Sequence, residues 1–509
     1  MSAVTRWIDE RVDLAGLRRA LLDRPVPSGL TWWHTLGSAT LAVFLVQLVT
    51  GVVLATYYSP SPDHAYDSIR FIDRHVASGA LLRGIHHWGA SAMVVLVLAH
   101  LVRVFTWGAY KYPREINWTL GVALLFIVLG FGFTGYLLPW DQKAYWATEV
   151  GTNIAGVTPL IGNALARLLR GGSQLGAATL TRFFALHVLF FPILLGGLVL
   201  LHVGMVIRQG IAARPWALES MKDPVTGRVQ DAPAHTGEGK YREFYEAAYA
   251  AEKTGGVRFW PDIIVKDVGV ALVVIGIIVF LAVKFGAGLE APADPTDRAY
   301  VPRPEWYFLP FFQLLKLVPG SWESAIATGV PALLVLVLLA LPFVDRRSTR
   351  SLGKRPVARL TLVALLAVSS MLFGAAWQDA PAHAPEVGRI LNSQERAGRA
   401  LFLRQQCNTC HAVAGLGGGR VEEDAPDLTQ IGLRHSPAWL HSFIEDPGRF
   451  HVKSKMPAYG PPTLTHQEIE EIAQYLSSLR GVPAPAVAAP QPEYHDTFPA
   501  LGTDKEKRP

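Results

Sequence analysis

Leu82–Phe105 constrains this chain more than any other stretch. It is long and apolar enough to cross a bilayer, yet it places His86 and His100 at membrane depth. Fourteen residues at 1.5 Å rise separate the two by about 21 Å along a helix axis. That spacing also returns to within about 40° of the same helix face. Ionisable side chains inside a span are costly and mark function. Two imidazoles stacked on one face look like ligands for two cofactors at different depths, so partner ligands must lie elsewhere in the chain.

Composition agrees with a membrane setting. Half of the 509 residues are hydrophobic, 17% are charged, and mean hydropathy is +0.25. The net charge of +6 comes from Lys and Arg gathered beside apolar runs, the positive-inside pattern, and does not call for nucleic acid. The charged N-terminus and long first span give no sign of a cleavable signal peptide. Cys407 and Cys410 are the only cysteines, so no disulfide framework is expected.

Residues 1–30 mix Trp7, Ile8, Val12, Leu14, Leu17, Leu21 and Leu22 with arginines, as an amphipathic helix on the membrane surface does. A basic leader is the plainer alternative. Seven apolar runs follow, approximately Thr35–Tyr57, Ile85–Phe105, Ile116–Leu138, Phe183–Ile207, Ile263–Phe285, Ile326–Val344 and Val357–Trp377, here spans A to G. The N-terminus and the B–C, D–E and F–G loops are basic, which puts the N-terminus in the cytoplasm and the end of span G outside. Short surface helices are expected in the C–D connection Pro139–Thr181, and a rigid, partly re-entrant loop in the Pro-rich E–F connection. Residues 379–392 read as a linker, 393–481 as a small soluble domain, and 482–509 as a disordered Pro/Ala-rich tail. The expected fold is all-α, a seven-span bundle with a small all-α domain after it. Residues 31–215 form its four-helix part and 216–378 its three-helix part.

Span D supplies the partners, His187 and His202, fifteen residues apart. Spans B and D run in the same direction, so His86 pairs with His187 near the outer face and His100 with His202 near the inner face. Two bis-histidine sites stacked in a helical bundle fit two non-covalent b-type haems. A lone histidine in a span is more often a bundle-facing hydrogen-bonding residue; four in matched pairs are not. Gly37 and Gly51 on span A, and Gly121 and Gly135 on span C, repeat the fourteen-residue spacing and leave room for a ring at each height. His87 points away from His86 and reads as a surface or propionate neighbour.

These residues carry a resemblance. His-His-Trp-Gly-Ala-Ser at 86–91, Pro-Trp-Asp-Gln at 139–142 and Thr-Leu-Thr-Arg-Phe at 179–183 make spans A–D similar to the short cytochrome b of bf complexes. The fifteen-residue spacing in span D is that family's variant; the longer mitochondrial cytochrome b has fourteen. Ala-Asp-Pro at 293–295 and Pro-Glu-Trp-Tyr at 304–307 make spans E–G resemble subunit IV of the same complexes. The resemblance covers about residues 5–378. It implies that Pro304, Glu305, Trp306 and Tyr307 form the quinol-oxidising site, with Glu305 taking a quinol proton. The competing reading is a rigid loop whose Glu305 only forms a salt bridge. The resemblance also sets Arg83 and Arg103 near haem propionates, with snorkelling or positive-inside arginines as the alternative. One departure stands out: the bf cysteine that holds an extra inner haem aligns with Thr35, so that third membrane haem is not expected.

Cys407-Asn408-Thr409-Cys410-His411 is the attachment motif of a covalent c-type haem, with His411 as axial ligand. Zinc would want more ligands, and a thioredoxin-like site a βαβ context. Met456, before Pro457, is the expected second ligand, since Met/His ligation raises the potential of a cytochrome c. Gly398, Phe402 and Tyr475 resemble the crossing-helix contact of class I cytochromes c, and Pro426 the proline beside the axial histidine. Covalent attachment occurs on the outer side, where the span count independently puts this domain.

Together the resemblance implies a bacterial inner-membrane subunit of a quinol–cytochrome c reductase. It would oxidise membrane quinol at the outer face, translocate protons, and use two b haems and one c haem. With no spare cysteine, a Rieske iron–sulfur protein would be a separate chain; a dimer and an acceptor such as another cytochrome c are also implied. The rival is a quinone-linked electron-transfer module feeding an outer reductase without a Q cycle.

Overall fold

The structure, a computed structural model, describes residues 3–13, 16, 18–19, 22–222, 227–236, 239–290, 292–293, 295, 300, 302–378, 391–413, 416–417, 425, 428, 431–450, 454 and 456–479. Contacts divide the chain into two units, Met1–Asp379 and Ala380–Pro509. Pro426 and the segment 482–509 lie outside the described residues.

Among the described residues, the first unit contains seven helices long and apolar enough to cross a membrane. Span A is Trp32–Ala55, B Gly79–Thr106, C Glu115–Leu137, D Ala177–Gln209, E Phe259–Phe285, F Gly320–Val344 and G Pro356–Gln378. Leu, Val, Ile and Phe dominate each, and large apolar side chains such as Leu45, Val49, Leu200, Phe280 and Leu336 stay exposed. Hydrocarbon solvates such side chains as well as a protein core does, so close packing and polar matching specify the bundle instead. Backbone and hydroxyl groups must be satisfied internally. Accordingly Thr40, Thr50 and Thr134 donate to the carbonyls of Leu36, Val46 and Gly130 at 2.7–2.8 Å, each one turn back.

The shared core of spans A to E is apolar: Ala39, Val43, Met93, Val94, Leu96, Val128, Leu195 and Ile278. It fills the bundle between the levels of His86 and His100. Span D is irregular, because Leu186–Phe190, which contains His187, makes a π-helical turn within it. A π turn takes in one extra residue without changing the downstream face. It therefore absorbs the fifteenth residue between His187 and His202.

The C–D connection folds as helices Gln142–Gly156 and Gly162–Arg170. Asp141 caps the first, accepting from the Ala144 N–H at 2.8 Å. It also accepts from the Glu290 N–H at 3.0 Å, which ties this connection to the E–F loop. The E–F loop turns through Pro304–Tyr307 into a short helix, Leu309–Leu317. The N-terminal segment differs from one continuous surface helix. A helix covers Ala3–Val12, while Pro25–Val26 forms a strand paired with Val257–Arg258.

The opposite ends of the spans are bound by a polar network. Lys111 and Arg350 are 1% exposed and Arg355 7%. Lys111 donates to Asp345 and to the carbonyls of Arg347 and Thr349, all at 2.8 Å. Arg350 donates to the carbonyls of Gly108 and Tyr112 at 2.7 Å. Buried cations need such pairing, because an unpaired one costs several kcal/mol; Nε of Arg350 and of Arg355 is left without a partner among the described residues. The B–C and F–G loops are thus held as one piece. Helix Gly239–Thr254 packs Tyr241, Phe244, Tyr245 and Tyr249 against them.

The second unit is a small helical domain. Helices Ser393–Arg404, Pro437–Glu445 and His466–Ser477 enclose Leu401, Phe402, Leu440, Ile444, Ile469, Ile472, Tyr475 and Leu476. A capping box opens the last helix: Thr465 and Glu468 satisfy each other's backbone N–H groups.

Candidate functional site

The outer histidines face each other across the bundle, with the ring centroids of His86 and His187 6.2 Å apart. Two nitrogens on opposite sides of one metal ion, each about 2 Å from it, put imidazole centres about 6 Å apart. Each imidazole has a hydroxyl behind it. Thr50 Oγ1 lies 2.9 Å from His86 Nδ1, and Thr134 Oγ1 lies 3.3 Å from His187 Nδ1. Both hydroxyl protons are committed to backbone carbonyls, so the oxygens are left to accept the Nδ1–H. The lone pair of each ring therefore resides on Nε2, the tautomer a metal ligand needs.

The inner pair is built differently. Nδ1 of His100 is buried and has no hydrogen-bond partner among the described residues, whereas the His202 ring lies against the Asn117 backbone. The glycines pair one-to-one with the four imidazoles. A Cβ on Gly37 would approach His100 Cε1 to 3.2 Å, one on Gly51 would approach His86 Cε1 to 3.2 Å, and one on Gly121 would approach His202 Cε1 to 3.5 Å. A Cβ on Gly135 would overlap the His187 ring. Span A thus clears space for the span B histidines, and span C for those of span D. Both layers fit a flat metal-bearing ring held from two sides.

The arginines separate. Arg103 is buried, lies 4.9 Å from the Trp107 ring, and has Nε and Nη2 without a hydrogen-bond partner among the described residues. A buried guanidinium in that state fits an anionic substituent. Arg83 instead forks onto Asp73, with bonds of 2.6 and 2.7 Å.

The Pro-Glu-Trp-Tyr turn sits against the outer histidine layer. Trp306 Nε1 donates to Ser91 at 3.3 Å, five residues along span B from His86. The Tyr307 ring packs against Gly132, three residues along span C from Gly135. Both aromatic rings join the apolar core of the bundle. Glu305 is 16% exposed, and its Oε1 accepts from Lys143 Nζ at 2.9 Å. This is the salt bridge of the competing reading, formed beside the His86–His187 layer. Around it, burial raises the carboxyls of Asp141 and Glu290 and the phenol of Tyr307 above their usual ranges. His87 stacks edge-on against Trp88, its ring centroid 5.3 Å away.

At the inner end, Ser38 donates to Asp267 at 2.6 Å, and His34 packs edge-on against Trp107 at 4.8 Å. Thr35 is buried and turns its hydroxyl to its own helix, onto the Trp32 carbonyl at 2.7 Å.

Sequence reasoning missed Thr50, Thr134, Lys143, Ser38 and Asp267. The two threonines left a signal. Thr-Gly recurs at 50–51 and 134–135, whereas Leu-Gly precedes the inner level at 36–37 and 120–121. Lys143 and Asp267 left none, since their partners lie 162 and 229 residues away.

In the second unit, Cys407 opens a tight turn that brings the Cys410 and His411 N–H groups to its carbonyl, at 3.3 and 3.0 Å. Burial pushes the Cys407 thiol up to about 11, unlike a thiolate site for metal. Cys407 and Met456 pack against the same apolar core. Phe402 and Tyr475 meet at 5.8 Å, and Gly398 lets its helix approach the Glu471 carbonyl closely. An attached flat ring bordered by Cys407 and Met456 fits this arrangement.

Three family models match the chain. Cytochrome b/b6/petB covers residues 21–210, Cytochrome b(C-terminal)/b6/petD covers 292–392, and Cytochrome c covers 395–480. The menaquinol:cytochrome c reductase cytochrome b subunit of Bacillus subtilis is 44% identical over 220 residues, 42% of this chain and 98% of that protein. Cytochrome b of Allochromatium vinosum is 35% identical over 364 residues, 68% of this chain and 81% of its own length. A solved structure entitled Hyperthermophilic respiratory Complex III superposes with a TM-score of 0.60 at 26% identity, covering 79% of this chain and 95% of the other.

Proposed function

The chain belongs to the cytochrome b/b6 family and carries a cytochrome c domain, and from that premise we propose that it is the quinol-oxidising subunit of a bc-type complex. As a member of that family with seven apolar helices, it is an integral membrane protein and an electron-transfer subunit. The finer reading is a proton-translocating quinol–cytochrome c reductase in the bacterial cytoplasmic membrane, with its N-terminus inside. The observation that carries it is Trp306 bonded to Ser91, which sets the Pro-Glu-Trp-Tyr turn against the His86–His187 layer.

His86 with His187 and His100 with His202 would each hold one b haem; Cys407 and Cys410 would attach a c haem, with His411 and Met456 as the residues that would bind its iron. These groups would supply one-electron carriers at three places. The protein's own part is proton handling and positioning. Glu305 takes a proton from quinol at the outer site, while Trp306 and Tyr307 wall that site from water. Pro304 fixes the backbone entering the turn. Thr50 and Thr134 hold the outer imidazoles in the ligating tautomer, and Arg103 offers its free nitrogens to an anionic haem substituent. At the inner end Asp267, bonded to Ser38, is placed to give protons to quinone. A Rieske protein as a separate chain, a dimer and an outer acceptor cytochrome complete the assembly.

A pyridine haemochrome assay on the purified protein is expected to give two b haems per c haem. Glu305→Gln is expected to slow quinol oxidation at least tenfold, about 1.4 kcal/mol of transition-state stabilisation, with unaltered haem spectra. A single b haem, or an unaffected rate, would overturn the reading.

A further inference from the structure

Glu305 does not sit free beside the histidine layer; Lys143 occupies it. Three contacts make this a built arrangement. Lys143 lies in the first turn of helix Gln142–Gly156, which Asp141 caps and ties to the E–F loop. Its ammonium reaches Glu305 Oε1 at 2.9 Å and also lies 5.1 Å from the centre of the Tyr136 ring. The Tyr136 hydroxyl donates at 3.1 Å to the carbonyl of Arg303, two residues before Glu305. The C–D helix, span C and the Pro-Glu-Trp-Tyr turn thus converge on one ammonium group.

We infer, on the reading of Glu305 as the outer proton acceptor, that Lys143 is a positioning residue that competes with quinol for the Glu305 carboxylate. At rest the ion pair holds the carboxylate in place. A quinol hydroxyl that is to donate to Oε1 must displace the ammonium first. Once the O–H proton has moved to the carboxylate, Glu305 is neutral and the pair has lost its attraction. Lys143 then keeps a second seat over Tyr136, since a cation above an aromatic face retains part of its stabilisation. Loss of the proton to the outer medium restores the carboxylate and re-forms the pair. The lysine is 36% exposed and the glutamate 16%, so the pair is weak enough to open in every turnover. The salt-bridge reading and the proton-acceptor reading of Glu305 then describe two states of one side chain.

The test is steady-state kinetics of the purified complex with a short-chain quinol that the wild type oxidises. Lys143→Met is expected to lower KM two- to fivefold, the limit set by a partly exposed pair of about 1 kcal/mol, while kcat moves less. Lys143→Arg, which keeps the charge, is expected to retain the wild-type KM. In a Glu305→Gln background Lys143→Met is expected to leave KM where it is, because no pair remains to open. Haem spectra report whether each variant is assembled, and Lys143→Gln gives the same reading should the Met variant not assemble. An unchanged or raised KM in the neutral variants overturns the inference while leaving Glu305 in its role. A Glu305→Gln enzyme with normal rates removes the proton-acceptor reading itself.

Discussion

Thr50 stands 2.9 Å behind Nδ1 of His86 with its own proton already given to the Val46 carbonyl. Thr134 repeats the arrangement behind His187. Hydrogen bonds to the far nitrogen of a ligating imidazole raise its basicity and favour the higher oxidation state of the metal. Replacing Thr50 or Thr134 by Val is therefore expected to raise the midpoint potential of the outer b centre. One bond of about 1 kcal/mol corresponds to about 40 mV for a one-electron couple. Redox titration of the b absorbance checks this, and the inner centre serves as the internal control.

Gly135 offers the least space of the four glycines. Gly135→Ala is expected to push His187 out of line and remove one of the two b signals from the reduced-minus-oxidised spectrum. Gly121→Ala, with 3.5 Å available, is expected to keep both. Equal loss in the two variants would mean that the glycines serve helix packing alone.

Asp267 and Ser38 share a 2.6 Å hydrogen bond at the inner end of the bundle. If Asp267 protonates quinone there, Asp267→Asn leaves the first outer turnover intact and slows re-oxidation of the b centres at least tenfold, about 1.4 kcal/mol. Stopped-flow spectroscopy after a quinol pulse separates the two phases.

Lys111 gives a pH-dependent prediction. Burial is the main cause that lowers it from 10.5 to about 8, against the pull of Asp345. Between those values the unfolded chain binds more protons than the folded one, so this residue makes stability rise with pH across that window. Lys111→Met is expected to remove that contribution, so that apparent stability rises less, or falls more, from pH 8 to pH 10. Loss of haem absorbance on heating, scanned at several pH values, provides the measurement.

The sequence by itself determined the seven spans, the two matched histidine pairs, the glycines facing them, and the Cys-Asn-Thr-Cys-His motif at 407–411. These features follow from hydropathy and helical periodicity, which act within one element and repeat along it. Tertiary structure decided the rest. The π-helical turn at Leu186–Phe190 keeps His202 in register with His187 despite the fifteen-residue spacing, and no periodicity announces it. Arg83 and Arg103 look alike as arginines near span ends, yet one is forked onto Asp73 and the other keeps buried nitrogens without partners. Lys143 and Glu305 stand 162 positions apart and meet at 2.9 Å. Which charge neutralises which is fixed by how the loops pack over the bundle, and that distance exists only once the helices have assembled.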